Sequence, residues 1–298
     1  MNILMTGGTG LIGSEFIRKY ASEHSFTVVS RNANKARQVL GDSIQTLESI
    51  ASITNIEAFD AVINLAGEPI ADKRWTDTQK KKICDSRWNT TAELVAKINA
   101  SDKPPKTLIS GSAIGFYGNQ GDRLVTEETH PHDEFTHDLC AKWETIANGV
   151  NMNRIRVATL RTGVVLSDKG GALDKMALPF KLGVGGTLGS GAQYLAWIHL
   201  QDMVRAIAFL LEHDACKGPF NLTAPEPVTN KAFSKSLASA LGRPCLFNVP
   251  SFVMKMAMGE SSTMILEGQC VIPKKLTTAG FKFDYPTVDE ALSEIYSA

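Results

Sequence analysis

Short apolar runs alternate with amphipathic stretches through the first two thirds of this 298-residue chain. The runs are rich in Val, Ile and Leu and barely alternate with polar residues, which is typical of parallel strands buried on both faces. They predict strands over Asn2–Thr6, Phe26–Ser30, Ala61–Ala66, Thr107–Gly111 and Ile155–Arg161. The amphipathic stretches predict helices over Leu11–Ser22, Thr90–Ile98 and Leu139–Val150. This order predicts an α/β fold, a Rossmann-like doubly wound parallel sheet with helices on both faces.

The pattern changes after Ser167. Seven glycines lie between residues 170 and 191, and prolines are frequent through the last third of the chain. We therefore predict a nucleotide-type domain over residues 1–167 and a smaller substrate-type lobe over residues 168–298. Strand and helix patterns near residues 194–223 predict elements that pack back on the first domain.

Composition and charge narrow the function classes. The formal net charge is +0, which gives no electrostatic basis for binding nucleic acid or an acidic membrane surface. The five cysteines are scattered without a CxxC pair, and the six histidines show no metal-ligand spacing, so no metal site is predicted. No apolar run approaches the roughly 20 residues of a membrane span. These features predict a cytoplasmic protein that binds a small molecule.

The opening N-I-L-M-T-G-G-T-G-L-I-G-S carries the most specific motif. Gly7 permits a tight turn after a strand, Gly10 lets backbone N–H groups approach a pyrophosphate, and Gly13 allows close packing of the helix on the strand. The N-terminus of the following helix offers free donors and a favourable dipole. Because strand, glycines and helix come in the required order, the motif predicts a dinucleotide site.

The end of the second predicted strand indicates which dinucleotide. Sites of this type usually carry an acidic residue about 20 positions after the glycines, which binds a ribose 2′-hydroxyl. Here the strand ends V-V-S-R-N, with Ser30 and Arg31 at that place. An arginine and a hydroxyl suit a 2′-phosphate, which a carboxylate would repel. The sequence therefore predicts NADP(H) rather than NAD(H).

Several later stretches carry a family resemblance. In chain order they are D-A-V-I-N-L-A-G at 60–67, G-S-A-I-G-F-Y-G at 111–118, R-T-G-V-V-L at 161–166, W-I-H-L-Q-D-M at 197–203 and G-P-F-N-L at 218–222. Together they resemble the extended short-chain dehydrogenase/reductases, the nucleotide-sugar epimerases and dehydratases. The stretches R-W-T-D at 74–77, S-R-W-N-T-T at 86–91, L-C-A-K-W-E at 139–144 and G-E-S-S-T-M-I-L-E-G-Q-C-V-I-P-K-K-L at 259–276 are similar to an atypical branch, called epimerase family proteins, with a C-terminal domain of unknown function.

The resemblance implies a cofactor site along the first strands but brings no known substrate. With the glycine motif, it predicts that NADP(H) contacts Gly7, Thr9, Gly10, Leu11, Ile12, Gly13, Ser30, Arg31, Leu65, Ala66, Gly67, Arg87 and Val165. Arg87 takes the place of an asparagine beside the family's active site. An arginine there is expected to bind the pyrophosphate or an anionic substrate.

The family's chemistry uses a serine or threonine with a tyrosine and a lysine four residues apart. Ser112 fits the serine position, but YxxxK occurs nowhere in the chain. Two registers of the predicted helix remain open. If Lys142 is the family's lysine, Asp138 takes the tyrosine position; if Glu144 matches a common glutamate, the two positions are Thr136 and Cys140. The apolar face, marked by Leu139, Trp143 and Ala147, favours the second register and predicts an exposed Asp138–Lys142 ion pair.

Tyr117 is the tyrosine nearest the presumed catalytic strand end, so Ser112 and Tyr117 are the predicted catalytic residues. Two function classes follow. One is an NADP-dependent oxidoreductase or epimerase-like enzyme that uses an unconventional acid. The other is an NADP(H)-binding sensor or interaction protein with little or no turnover. The missing tyrosine favours the second class, and the complete cofactor motif favours the first. Substrate and oligomeric state stay open.

Overall fold

A seven-stranded parallel sheet forms the centre of the computed structural model, which describes residues 1–297. Its strands are β1 (Asn2–Thr6), β2 (Ser25–Val29), β3 (Gln45–Leu47), β4 (Ala61–Asn64), β5 (Thr107–Ala113), β6 (Arg156–Thr162) and β7 (Gly218–Leu222). They lie in the order β7-β6-β5-β4-β1-β2-β3, and every neighbouring pair is parallel. The chain winds outward in both directions from β1 and β4, so the predicted doubly wound α/β fold is confirmed.

Helices cover both faces of this sheet. The α-helices are α1 (Leu11–Tyr20), α2 (Ala33–Leu40), α3 (Asp77–Asn99), α4 (Phe135–Ala147), α5 (Ala172–Lys181), α6 (Leu200–Glu212), α7 (Asn230–Ala240), α8 (Ser251–Met258), α9 (Thr263–Leu266), α10 (Lys274–Thr278) and α11 (Val288–Tyr296). Successive residues of β1 point to opposite faces: Ile3 packs with α1 and α6, and Leu4 packs with α3 and α4. This burial on both faces explains the continuous apolar runs of the sequence.

The predicted element bounds differ most from the structure at α3. The sequence predicts a helix from Thr90, whereas α3 begins at Asp77. Thr76 caps it, because its hydroxyl accepts a hydrogen bond from the Gln79 backbone N–H at 3.2 Å. The first half of α3 is rich in lysine and has few apolar positions, so its periodicity is weak. By contrast, β1 spans the predicted residues without change.

Short elements, most of them after residue 163, pair in two-stranded sheets and surround a second core. Paired strands are Val164–Leu166 with Trp197–His199, Gly186–Leu188 with Phe247–Val249, Tyr194–Leu195 with Val228–Thr229, and Leu124–Val125 with Cys270–Val271. Trp197, Phe233 and Leu292 are fully buried in this core. The division at 167/168 stays a prediction, and residue 298 lies outside the described residues. No helix within residues 1–297 combines the length and apolarity of a membrane span.

Candidate cofactor and active site

The N-terminus of α1 lies at the carboxyl edge of the sheet, directly after β1. Gly7 has a φ of +72°, and a Cβ there would lie 2.6 Å from the Leu65 carbonyl carbon, so this turn requires glycine. A Cβ on Gly13 would lie 2.4 Å from the Gly7 carbonyl oxygen. Gly10 supplies no side-chain cap, and the first turn of α1 contains no acidic residue. The first N–H groups of α1 therefore have no side-chain cap, an arrangement that suits an anion, and the predicted cofactor contacts of this turn stay a prediction.

The end of β2 presents basic groups beside this turn. Arg31 is exposed, and no ion pair within residues 1–297 includes it. The Ser30 hydroxyl lies 3.2 Å from the Asn32 carbonyl oxygen, to which it donates. Lys35 and Arg37 follow on α2, and residues 30–40 contain no acid. This corner of the cleft is therefore suited to a phosphate group.

The loop after β4 forms the next part of the edge. Leu65 and Ala66 are partly exposed, and Gly67 is exposed. A buried chain of hydrogen bonds fixes the loop: the Ala66 N–H donates to Thr6 Oγ1, Thr6 Oγ1 donates to Asn64 Oδ1 at 2.6 Å, and Asn64 Nδ2 donates to Thr91 Oγ1 at 2.8 Å. These bonds join β1, β4 and α3. The motif D-A-V-I-N-L-A-G therefore holds α3 in a fixed position against the cleft.

Arg87 reaches this loop from α3. Its Nη1 donates to the Glu68 and Ile83 carbonyl oxygens at 3.0 and 3.1 Å. Its guanidinium carbon lies 5.3 Å from the centre of the Trp143 ring. Burial lowers the pKa of Arg87 below its ordinary value, although Cys140, Cys84 and Glu68 act in the opposite direction. The structure thus places a desolvated cation between the end of β4 and helix α4.

The predicted catalytic serine lies in a buried network. Ser112 is 5% exposed, and its hydroxyl donates to Glu144 Oε1 at 2.7 Å. Arg161 binds the same carboxylate with two hydrogen bonds, Nε to Oε1 at 2.8 Å and Nη2 to Oε2 at 2.9 Å. Burial lowers the pKa of Arg161, but its bonds to Glu144 raise it above the ordinary value overall. A bidentate pair of this kind orients both groups rigidly.

Tyr117 belongs to the same network and has no exposed surface. Its hydroxyl donates to Asn221 Oδ1 at 2.6 Å and accepts from Arg161 Nη1 at 2.9 Å. Burial raises the pKa of Tyr117 to about 12, against the opposing effect of Arg161. These contacts favour a structural role for the phenol. The prediction that Tyr117 acts as an acid stays a prediction.

Sequence reasoning missed the central member of this network. The apolar pattern predicts only a strand end at Arg161, yet this residue contacts Glu144, Tyr117 and the Phe116 ring, whose centre is 3.4 Å from its guanidinium carbon. One signal was present: a charged residue inside the apolar run V-A-T-L-R-T-G-V-V. A buried charge requires a partner, and the sequence does not say which residue supplies it.

Helix α4 has the orientation of the second register. Thr136 and Cys140 are buried, whereas Asp138 and Lys142 are exposed. The predicted Asp138–Lys142 ion pair is wrong, since no ion pair of the described chain joins them and the Lys142 ammonium lies 4.0 Å from the centre of the Trp88 ring. Burial, with the Glu144 charge, raises the pKa of Cys140 to about 12. Cys140 therefore carries a neutral thiol at pH 7 and supplies no base.

The segment after β6 closes the cleft beside α1. Val165 is partly exposed, and Leu11 lies close to Gly171, where a Cβ would lie 3.0 Å from its Cδ2. Glu15 of α1 is 4% exposed and pairs with Lys169 at 3.0 Å and with Arg18. The Arg18 bond, opposed by burial and supported by Lys169 and Gln201, lowers the pKa of Glu15 to about 2. This ion cluster fixes residues 165–171 against α1.

One group of side chains has metal-ligand geometry. Ligand atoms of Glu23, His24 and Glu212 all lie within 4.8 Å of one another, and both carboxylates are exposed. His24 immediately precedes β2, so the group lies at the amino edge of the sheet, opposite the glycine turn. It is not part of the candidate site, and the absence of a metal stays a prediction.

The fold and the glycine turn define a Rossmann-like α/β protein. Residues 3–223 match the NAD dependent epimerase/dehydratase family, and residues 249–295 match Domain of unknown function (DUF1731). The chain belongs to the NAD dependent epimerase/dehydratase family. It is similar to Epimerase family protein YfhF of Bacillus subtilis strain 168, with 39% identity over 298 residues covering 99% of this chain and 98% of that one.

Other relatives agree with this assignment. Epimerase family protein Mb2239 of Mycobacterium bovis is 39% identical over 293 residues, covering 97% of this chain and 96% of its own. The crystal structure of human epimerase family protein SDR39U1 (isoform 2) with NADPH superposes with a TM-score of 0.92 and 34% identity, covering 100% of this chain and 99% of that one. UDP-glucuronic acid 4-epimerase from Bacillus cereus, with a TM-score of 0.80 and 17% identity, shares the fold.

Proposed function

We propose that this chain binds NADP(H) and acts as an NADP(H)-dependent oxidoreductase on a small molecule that carries a carbonyl or alcohol group. The observation that supports this most is the uncapped N-terminus of α1 beside Arg31 and an acid-free α2. Backbone donors there suit the pyrophosphate, and the guanidinium suits a 2′-phosphate. The human relative was crystallised with NADPH, which supports the same cofactor for this chain.

The residues proposed to hold the cofactor follow the carboxyl edge of the sheet. They are Gly7, Thr9, Gly10, Leu11, Ile12 and Gly13 around the glycine turn, Ser30 and Arg31 after β2, Leu65, Ala66 and Gly67 after β4, Arg87 on α3 and Val165 after β6. NADP(H) supplies the hydride chemistry when it is bound. The chain itself binds and orients the reactants, and its five free cysteines support a cytoplasmic location.

The reaction also requires a proton donor or acceptor at the reacting end of the cleft, the end that holds Ser112 and Tyr117. The contacts of these two residues fit that role less well than the cofactor end fits a dinucleotide. A Ser112 that polarises a substrate oxygen would have to turn its hydroxyl hydrogen away from Glu144. A Tyr117 that donates a proton would have to break its bond to Asn221 and become exposed. A solvent molecule at the cleft is an alternative proton source.

These contacts support a second candidate function, an NADP(H)-binding sensor or interaction protein with little turnover. The observation that favours it is that Ser112 and Tyr117 both donate to buried protein acceptors. Such a protein would use the cofactor site for binding alone.

Mass spectrometry of ligand released from denatured protein tests the cofactor, and NADPH oxidation against carbonyl compounds and nucleotide sugars tests turnover. We expect NADP(H) to be released and one substrate class to be reduced. Tight NADPH binding without turnover across both classes would favour the sensor. If activity is found and both Ser112→Ala and Tyr117→Phe leave it unchanged, the catalytic predictions are wrong.

A further inference from the structure

Arg87 contacts the loop after β4, and its hydrogen bonds show which part of the guanidinium is available. Both hydrogen bonds from its side chain to the described residues leave from Nη1. No ion pair within residues 1–297 includes Arg87. Nε and Nη2 are thus left to bind another group, and a desolvated guanidinium gains most from an anionic oxygen.

Gly67 shows where those two nitrogens lie. A Cβ built on Gly67 would be 2.8 Å from Arg87 Cζ, 3.0 Å from Nη2 and 3.1 Å from Nε. Gly67 is exposed and follows the carboxyl end of β4. The Nε–Nη2 edge of the guanidinium therefore lies at the sheet edge where the cofactor is proposed to bind.

The order of the strands in the sheet indicates which half of the dinucleotide lies next to Arg87. In doubly wound folds the dinucleotide crosses the point where the strand order reverses, with its pyrophosphate at the first helix. Here that point lies between β1 and β4. The adenosine half belongs on the β2 side, next to Ser30 and Arg31. The other half then lies over β4 and β5, on the side of Arg87.

The position of Arg87 is held by the elements around it. Its guanidinium carbon lies 5.3 Å from the centre of the Trp143 ring, and Trp143 packs on Gly111 of β5, where a Cβ would lie 2.7 Å from its Cη2. The Trp143 indole N–H donates to Thr91 Oγ1 at 2.8 Å, and Thr91 Oγ1 donates to the Arg87 carbonyl oxygen at 2.7 Å. Such preorganisation reduces the entropy lost when an anion binds.

We infer that Arg87 binds the phosphate on the nicotinamide side of the NADP(H) pyrophosphate through its Nε–Nη2 edge. Arg87 and the N-terminus of α1 then share the pyrophosphate, while Arg31 holds the 2′-phosphate at the far end. This inference rests on the proposed NADP(H) site. It makes Arg87 a binding residue of the cofactor and assigns it no contact with a substrate.

Three ligands of increasing length test the assignment by calorimetry: 2′,5′-ADP, 2′-phospho-ADP-ribose and NADPH. The first lacks the second phosphate of the pyrophosphate, and the other two contain it. Arg87→Gln is expected to weaken 2′-phospho-ADP-ribose and NADPH by about 10- to 100-fold each and to leave 2′,5′-ADP within about threefold. Unchanged 2′,5′-ADP binding also shows that the variant is folded with an intact cleft.

Two control variants sharpen the result. Lys82→Gln removes an exposed charge from the same helix and is expected to change none of the three affinities. Gly67→Ala displaces the Arg87 guanidinium but keeps its charge. If the two residues are in contact, Gly67→Ala should lower the NADPH affinity less in the Arg87→Gln background than in the wild type. Independent, additive losses would contradict the contact.

Each of the other outcomes contradicts the inference and indicates a different position or role for Arg87. No change in any of the three affinities would assign Arg87 to an anionic substrate or to structure alone. A loss confined to NADPH would place Arg87 at the nicotinamide ring. An equal loss for 2′,5′-ADP would place it at the adenosine half. If the wild-type protein binds none of the three ligands, the proposed function itself is wrong.

Discussion

The two ends of the cleft are built in opposite ways. At the cofactor end, the N-terminus of α1 has no cap, and Arg31 is exposed without an ion-pair partner among the described residues. At the reacting end, Ser112, Tyr117, Glu144 and Arg161 are buried and bind one another. Free donors suit a ligand, and satisfied donors suit a rigid structure. The comparison indicates that the cofactor end has donors available for a ligand, whereas the donors around Ser112 are used within the protein.

The largest effect is expected from removing a member of the buried network at the reacting end. Glu144→Ala leaves the buried Arg161 charge unpaired, so we expect a loss of about 3–5 kcal/mol in the free energy of unfolding. Denaturant unfolding measures it. Asp138→Asn, on the exposed side of the same helix, is the control and should stay within about 0.5 kcal/mol. A loss below about 1 kcal/mol for Glu144→Ala would show that the network is not a structural element.

The ion cluster of Glu15, Arg18 and Lys169, beside the cofactor end, should make the free energy of unfolding depend on pH. The pKa of Glu15 falls from 4.5 to about 2 on folding, so its contribution is fully present above about pH 4.5 and is lost as the pH falls toward 2. Because Arg18 and Lys169 are more than half exposed and solvent screens them, Glu15→Gln should cost roughly 2 kcal/mol at neutral pH and flatten the stability profile between pH 4.5 and 2. Unfolding measured across that range tests this. A stability profile that Glu15→Gln leaves unchanged would contradict the pairing of Glu15 with Arg18 and Lys169.

Reversing the charge of Arg31 at the cofactor end should change the relative affinities for NADPH and NADH. Arg31→Asp is expected to weaken NADPH binding by about 10- to 100-fold and NADH binding only slightly, because only NADPH carries the 2′-phosphate. Fluorescence titration measures both affinities. Lys106→Asp, an exposed position directly before β5 at the amino edge of the sheet, controls for the general effect of charge. Equal losses for the two cofactors would remove Arg31 from the phosphate site.

The smallest expected effect separates the two roles of Tyr117. Removing its hydroxyl leaves Asn221 Oδ1 without this donor and Arg161 Nη1 with one acceptor fewer, so Tyr117→Phe should cost about 1–2 kcal/mol in stability. Once a substrate is known, we expect turnover by the folded variant to remain within about threefold. A fall of about 100-fold or more would instead identify Tyr117 as the acid.

Sequence reasoning predicted the fold and the class of cofactor because both depend on local patterns. Buried parallel strands leave apolar runs, and Gly13 is required by a contact within its own turn, since a Cβ there would lie 2.4 Å from the Gly7 carbonyl oxygen. The register of α4 also followed from its apolar face. The buried network at the reacting end was not predictable in the same way. Arg161 and Glu144 are 17 positions apart in sequence, and no pattern states that Arg161 and Ser112 both donate to the Glu144 carboxylate.

The same distinction explains the error on Lys142. Its exposure followed from helical periodicity, but its partner depended on Trp88, which lies on α3. A cation over an indole ring and an i,i+4 ion pair have similar energies at a protein surface, so spacing alone does not choose between them. Tertiary contacts therefore decided what local spacing could not.

Calorimetric titration of the wild-type protein with NADPH and with NADH tests the central claim most directly. An open cofactor end with Arg31 beside the uncapped turn predicts that NADPH binds at least about tenfold more tightly than NADH. Equal affinities, or tighter binding of NADH, would contradict the account.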